Sequence, residues 1–143
     1  MIEEAVKTQN VLFIDDDSIT NYVHEFLISE QINYKGNYHF CINGLEAIEY
    51  LKELAINNEV ESNFPDIIFL DINMPELNGF GFIDEFKKLP INLVEKTKIY
   101  ILTSSLNESD KVKASKYKEV NGYLLKPIDA TILICIIETQ TTL

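Results

Sequence analysis

Basic residues are scarce in this sequence: 12 stand against 23 acids, for a net charge of −11. Nucleic-acid binding through phosphate contacts needs the opposite balance, so direct nucleic-acid recognition is not expected. Long apolar runs are also missing. The longest, Ile132 to Ile137, has six residues, against the roughly 18 needed to cross a bilayer, so no membrane insertion is expected. The first residues carry Glu3 and Glu4 where a secretory signal has positive charge and then an apolar core; a cytoplasmic location is the expectation. Cysteine is limited to Cys41 and Cys135, 94 residues apart, without a CxxC or a metal-ligand spacing. Two reduced, buried thiols are expected rather than a bridge.

What remains is a globular balance, 46% hydrophobic and 24% charged over 143 residues, which suits one domain spanning 1–143 with its core at about 10–139. The run Asn10 to Ile14 ends in Asp15, Asp16 and Asp17 and is followed by Ile19, Tyr22, Val23, Phe26 and Leu27 at helical spacing. That pattern reads as strand, loop and helix, with Ser18 as the expected cap. The unit recurs. Tyr38 to Ile42 leads through Asn43 and Gly44 into a helix with Leu45, Ile48, Leu51 and Leu54. Asp66 to Asp71 (DIIFLD) is a strand covered on both faces, with a helix from about Phe80 to Lys88. Lys98 to Thr103 precedes a helix over Ser109 to Lys118, and Gly122 to Leu125 precedes one over Thr131 to Thr139. Five such units predict an α/β fold, a doubly wound parallel sheet with helices on both faces. Asn57 to Asn63 and Pro90 to Lys96 read as surface loops.

In such sheets, polar groups at the C-terminal strand ends converge on a crevice. Those ends carry Asp15, Asp16 and Asp17, then Asp71, then Thr103 and Ser104, then Lys126. Ionised carboxylates brought together repel unless a cation balances them, and a hard oxygen-seeking ion such as Mg²⁺, with Mn²⁺ as a substitute, fits. A hydroxyl and an ammonium beside that metal are what is needed to hold the oxygens of a transferred phosphoryl group. Asp71 is then the nucleophile, forming an acyl phosphate.

These residues resemble the receiver domain of two-component response regulators. Val11 to Asp17 (VLFIDDD) is similar to the family's first strand and acidic pair, Phe69 to Phe80 (FLDINMPELNGF) to its phosphorylation segment, Ile101 to Ser105 (ILTSS) to its switch hydroxyl, and Gly122 to Pro127 (GYLLKP) to its lysine–proline segment. The four lie in order, with 55, 32 and 23 residues separating Asp16, Asp71, Thr103 and Lys126. The resemblance implies a flavodoxin-like strand order 2-1-3-4-5 and a cis Lys126–Pro127 bond. It also implies metal ligation by Asp15, Asp16, Asp71 and the Asn73 carbonyl, phosphorylation at Asp71, and a switch formed by Thr103 and Tyr123. Asn73 and Ser105 are expected to flank the path of water attack on the phosphoryl group. Glu119 and Val120 stand where the family usually has Gly-Ala, and segments 57–65 and 90–98 are longer than typical.

The implied partners are a histidine kinase or histidine phosphotransfer protein as donor and an unidentified downstream protein, with phosphorylation-dependent homodimerisation or docking through the apolar fifth helix. His24 and His39 are expected to be structural rather than phosphotransfer residues. Two other readings use the same residues. A haloacid-dehalogenase-like phosphatase would use Asp15 as nucleophile, and a degenerate receiver would act only as a docking module. The first lacks the further acidic pair such enzymes need late in the chain, since only Asp129 and Glu138 follow Lys126. The second has no use for the acidic cluster.

Overall fold

Strand β1 (Asn10–Ile14) and strand β3 (Ile67–Asp71) are buried at every position, which is sustainable only where helices cover both faces of a sheet. The computed structural model describes residues 9–57, 63–104 and 107–141. After β1 comes α1 (Ser18–Phe26), continued by a π-helical turn at Leu27–Gln31. Then follow β2 (Asn37–Cys41), α2 (Gly44–Ile56), β3, α3 (Gly79–Phe86), α4 (Ile91–Lys96), β4 (Lys98–Thr103), α5 (Glu108–Ser115), β5 (Val120–Leu125) and α6 (Ala130–Thr141). The five strands are parallel and ordered β2-β1-β3-β4-β5, as the resemblance implied.

Side chains alternate across a strand, so each central strand feeds two cores. Leu12, Ile14, Ile68 and Leu70 join residues of α2, α3 and α4, including Leu51, Phe82 and Leu93, on one face. Val11, Phe13, Ile67 and Phe69 join Leu27, Ile28, Leu133 and Ile137 on the other. Each fully buried side chain of this size contributes about 1.5–3 kcal/mol. The sheet is thus fixed from both sides, and its C-terminal edge is a rigid platform.

Several expectations need correction. The cap of α1 is Asp17, not Ser18: its Oδ1 accepts from the Ile19 amide at 3.0 Å and its Oδ2 from the Thr20 hydroxyl at 3.0 Å, so the last acid after β1 starts the helix. Pro90 to Lys96 is not simply a loop. Pro90 opens α4, whose Leu93 and Val94 are buried, and those two apolar anchors make the helix possible. Cys41 is buried as expected, but Cys135 is exposed on α6; both are free thiols. The helix boundaries at α3 and α5 fall two to three residues short of their expected ends, and Lys118 and Glu119 turn the chain before β5. Of the loop 57–63, residues 58–62 lie outside the described residues.

The apolar pattern of α1 predicted the helix, but its exposed face was not foreseen. Ile19, Tyr22, Val23 and Phe26 remain exposed, while His24 turns inward. His24 stacks on Phe13 at 5.1 Å, and the π-helical turn then delivers Leu27 and Ile28 to the core. His39, by contrast, stacks on Tyr50 at 4.1 Å at the sheet edge.

Candidate functional site

The parallel register brings the ends of β1, β3, β4 and β5 to one edge. Asp71 pairs with Leu102, so Thr103 follows beside it, and Thr103 in turn pairs with Leu125, placing Lys126 next in line. The Lys126 amide donates to the Thr103 carbonyl at 2.8 Å, which ties the last two strand ends together. The Lys126–Pro127 bond is cis, as the resemblance implied.

The carboxylates of Asp15, Asp16 and Asp71 each place an oxygen within 4.8 Å of the others. Their settings differ. Asp15 is buried; its Oδ1 accepts from the Asp17 amide at 2.9 Å, and Asn21 Nδ2 donates to its main-chain carbonyl at 2.8 Å. Asp16 is exposed at the mouth and Asp71 is buried. Lys126 Nζ stands 2.5 Å from Asp15 Oδ2 and 3.4 Å from Asp71 Oδ1. One ammonium therefore contacts two of the three clustered carboxylates. Burial, and then the charge of Asp15, push the Asp71 carboxyl up to about 6, with Lys126 acting in the opposite direction. Burial also opposes charge on Lys126, but the hydrogen bond and charge of Asp15 and the charge of Asp71 outweigh it and raise its titration. The cluster holds surplus negative charge on hard oxygen donors, which fits a divalent cation.

Local sequence explains how Asp71 is held. Gly79, the first residue of α3, donates its amide to the Ile72 carbonyl at 2.8 Å. A Cβ at Gly79 would lie 2.7 Å from the Asp71 carbonyl oxygen and 2.8 Å from Ile72 Cα, so only glycine lets α3 start this close to the end of β3. Asn78 caps α3 through its side chain on the Gly81 amide. Within this loop, Asn73 donates its amide to Asp71 and its side chain is exposed.

Thr103 is fully buried and Ser104 is exposed. Tyr123 is half-buried against the α2–α3 side of the core, and its hydroxyl is shielded from solvent with no hydrogen-bond partner among the described residues. Burial, then the nearby Asp110 and Glu108, raise its titration. Ser105 lies outside the described residues. The structure thus gathers Asp15, Asp16, Asp71 and Lys126 at one edge, with Thr103 beside Asp71 in register.

Sequence reading missed the part played by Gly79 and by Asn21, which steadies the Asp15 backbone. It also missed His24 as a floor beside the site. Burial pushes the His24 imidazole down to about 4, against Asp15 and with Lys126, so it stays neutral there. The Asn78-Gly79 dipeptide before an apolar run was the available signal for the tight helix start.

Comparison with known proteins agrees with this geometry. The family described as "Response regulator receiver domain" matches residues 11–138. A two-component response regulator from Cytophaga hutchinsonii is 33% identical, with a TM-score of 0.80 over 94% of this chain and 97% of that one. A probable transcriptional regulator, ycf29, of Porphyra purpurea is 25% identical over 90% of this chain and 54% of its own length. An uncharacterised response regulatory protein of Staphylococcus epidermidis is 29% identical over 85% of this chain and 42% of its own length. The chain spans about half the length of these two curated relatives. Among the described residues no helix is long and apolar enough to cross a membrane. With the family's segment running through all four strand ends that build the site, this chain belongs to the response regulator receiver domain family.

Proposed function

We propose that this chain works as a phosphoacceptor receiver: Asp71 accepts a phosphoryl group from a histidine kinase or histidine phosphotransfer protein, and the modification changes a protein-binding surface. The observation that carries this reading is the packing of three carboxylates within 4.8 Å of one another, two of them in contact with the Lys126 ammonium. Asp15, Asp16, Asp71 and the Asn73 carbonyl are the groups that would hold Mg²⁺ or Mn²⁺; when bound, the metal neutralises charge on the transferring phosphoryl group. An Asp71 carboxylate oxygen attacks phosphorus, the P–N bond of the donor phosphohistidine breaks, and the imidazole leaves with the bonding pair. Lys126 balances charge on the phosphoryl oxygens, and the Thr103 hydroxyl binds one of them.

Release follows when water attacks the aspartyl phosphate. Asn73, exposed at the mouth, and Ser105, outside the described residues, are the positions the family resemblance assigns to that path, so bulky residues at both should lengthen the phosphorylated lifetime. The output follows from movement of Thr103 toward the phosphoryl group, which makes room for Tyr123 to move inward and repacks the surface formed by α5, β5 and α6. On α6, Ile132 is 38% exposed beside the exposed Cys135, which supports this helix as a docking or homodimer face. The donor meets a different surface: Ile19, Tyr22, Val23 and Phe26 form an exposed apolar stripe on α1 that begins at the rim of the acidic cluster.

The test is uptake of phosphate from acetyl phosphate with Mg²⁺, read by intact-mass spectrometry. One phosphoryl group on the parent protein and none on Asp71→Asn is the expected result. Label at Asp15 instead would support the phosphatase reading, and no uptake at all would support a docking-only module.

A further inference from the structure

The charge of this chain is unevenly distributed. Residues 1–86 hold three lysines against 17 acids, whereas residues 87–143 hold nine lysines against six acids. Eight of the 12 lysines fall between Lys87 and Lys118, and the sequence has no arginine. The fold places these lysines on α4, α5, the start of β4 and their flanks. There they form a trough of about 890 Å³ between α3 and α5, walled by Lys87, Lys113 and Lys116, which outnumber the acids Asp84 and Glu108 in the same lining, and floored by Val112 and Tyr117. A second hollow, of about 390 Å³, shares Lys87 and carries Lys98 and Lys118 toward α4.

These lysines are held in place without being neutralised. Lys87 lies 5.2 Å above the Tyr117 ring and Lys113 lies 4.6 Å above the Phe80 ring, and among the described residues no ion pair is formed by Lys87, Lys113 or Lys116. The Asp84 carboxylate in the same trough is occupied by the Tyr117 hydroxyl at 3.0 Å. Ring contacts fix the alkyl stems and leave the ammonium groups available to an anion. Val112 is 51% exposed, which adds an apolar foothold between them.

We propose that this trough binds an acidic peptide segment of a partner protein, with carboxylates on the lysines and an apolar side chain on Val112 and Tyr117. A peptide is favoured over a nucleic acid because Phe80 is buried and Tyr117 is half-buried beneath its lysine, leaving no open ring on which bases stack. The trough is complete in the unphosphorylated protein, so binding does not depend on the chemistry at Asp71.

The experiment titrates unphosphorylated protein with a short fluorescein-labelled peptide of Asp-Glu-Leu repeats, its Asn-Gln-Leu counterpart and single-stranded oligothymidylate. Binding is read by anisotropy and by backbone amide shifts. The acidic peptide should bind with shifts centred on Lys87, Lys113 and Lys116, and should be released near 1 M salt, where screening acts over about 3 Å. Lys113→Glu with Lys116→Glu should weaken binding by at least about tenfold, while Lys35→Glu with Lys52→Glu should not. Lys116→Gln, at the exposed end of α5, should act in the same direction if the double reversal unfolds, which the amide spectrum reports directly. Equal binding of the neutral peptide, equal loss in the Lys35 and Lys52 variant, or tighter binding of oligothymidylate to the same lysines would each overturn the proposal.

Discussion

The ammonium of Lys126 lies 2.5 Å from a carboxylate oxygen of Asp15, 111 residues earlier in the chain, and only 3.4 Å from Asp71. The lysine is therefore anchored by the wall of the site and leans toward the acceptor. Anchoring of this kind leaves Asp71 the less neutralised of the two buried acids, consistent with its raised titration.

Lys126→Met leaves Asp15 buried without its counter-charge. Loss of one partner of such a pair costs about 3 kcal/mol, and losing a charge aimed at the transferring group should slow uptake from acetyl phosphate by about a hundredfold. Denaturant unfolding and intact-mass kinetics measure the two effects. Wild-type uptake in this variant would show that Lys126 has no part in the transfer.

Two buried groups give opposing pH dependences. The Asp71 carboxyl titrates near 6 in the fold against 3.8 in the unfolded chain. Its contribution is full below about pH 4 and is lost as pH rises through 6, about 3 kcal/mol in all. His24 titrates near 4 against 6.5, so its contribution is full above pH 6.5 and is lost as pH falls toward 4, by a similar amount, about 3 kcal/mol. The metal-free protein should show a nearly flat stability between these limits. Asp71→Asn should make stability rise with pH, and His24→Phe should make it fall. Identical slopes in Asp71→Asn and the parent protein would contradict the environment assigned to Asp71.

Added Mg²⁺ should stabilise the parent protein most above pH 6, where Asp71 is ionised, and should stabilise Asp71→Asn and Asp16→Ala less, because each removes a carboxylate from the cluster. Unfolding midpoints with and without the metal provide the comparison. Equal shifts in all three proteins would place the ion elsewhere.

The α1 stripe is tested by Val23→Lys with Phe26→Glu. Both side chains are exposed, so stability should change by less than about 0.5 kcal/mol. Transfer from a phosphorylated histidine donor should slow by tenfold or more, on the order of a hot-spot loss, while uptake from acetyl phosphate should be unchanged. Equal slowing from both donors would mean that the substitutions disturb the site itself.

Gly79→Ala places a methyl group against the Asp71 carbonyl and the Ile72 backbone, neither of which is the end of a flexible side chain. A cost of about 1–3 kcal/mol is expected, together with slower phosphorylation, because the loop carrying Asp71 must shift. A fully stable variant would show that α3 can start farther from β3 than it does.

Alternation of apolar runs with helical spacing was sufficient to determine the five strand–helix units, and the order of Asp16, Asp71, Thr103 and Lys126 along the chain was sufficient to group them. Those are local and one-dimensional signals: strand burial on both faces and residue type at a strand end are written into a few adjacent residues. Which face of α1 packs inward was not written there. Ile19, Tyr22, Val23 and Phe26 have the spacing of a core stripe, yet the π-helical turn transfers the packing role to Leu27 and Ile28 and turns His24 onto Phe13. The same holds for Asp17, which reads as a third site acid and serves as a helix cap, and for Pro90 to Lys96, where two buried side chains convert an expected loop into a helix. In each case the outcome depends on what lies across the interface, and only the packed sheet supplies that. The sheet also decided how the four site residues divide their roles, because the distances from one ammonium to two buried carboxylates are set by strand register rather than by spacing in the sequence.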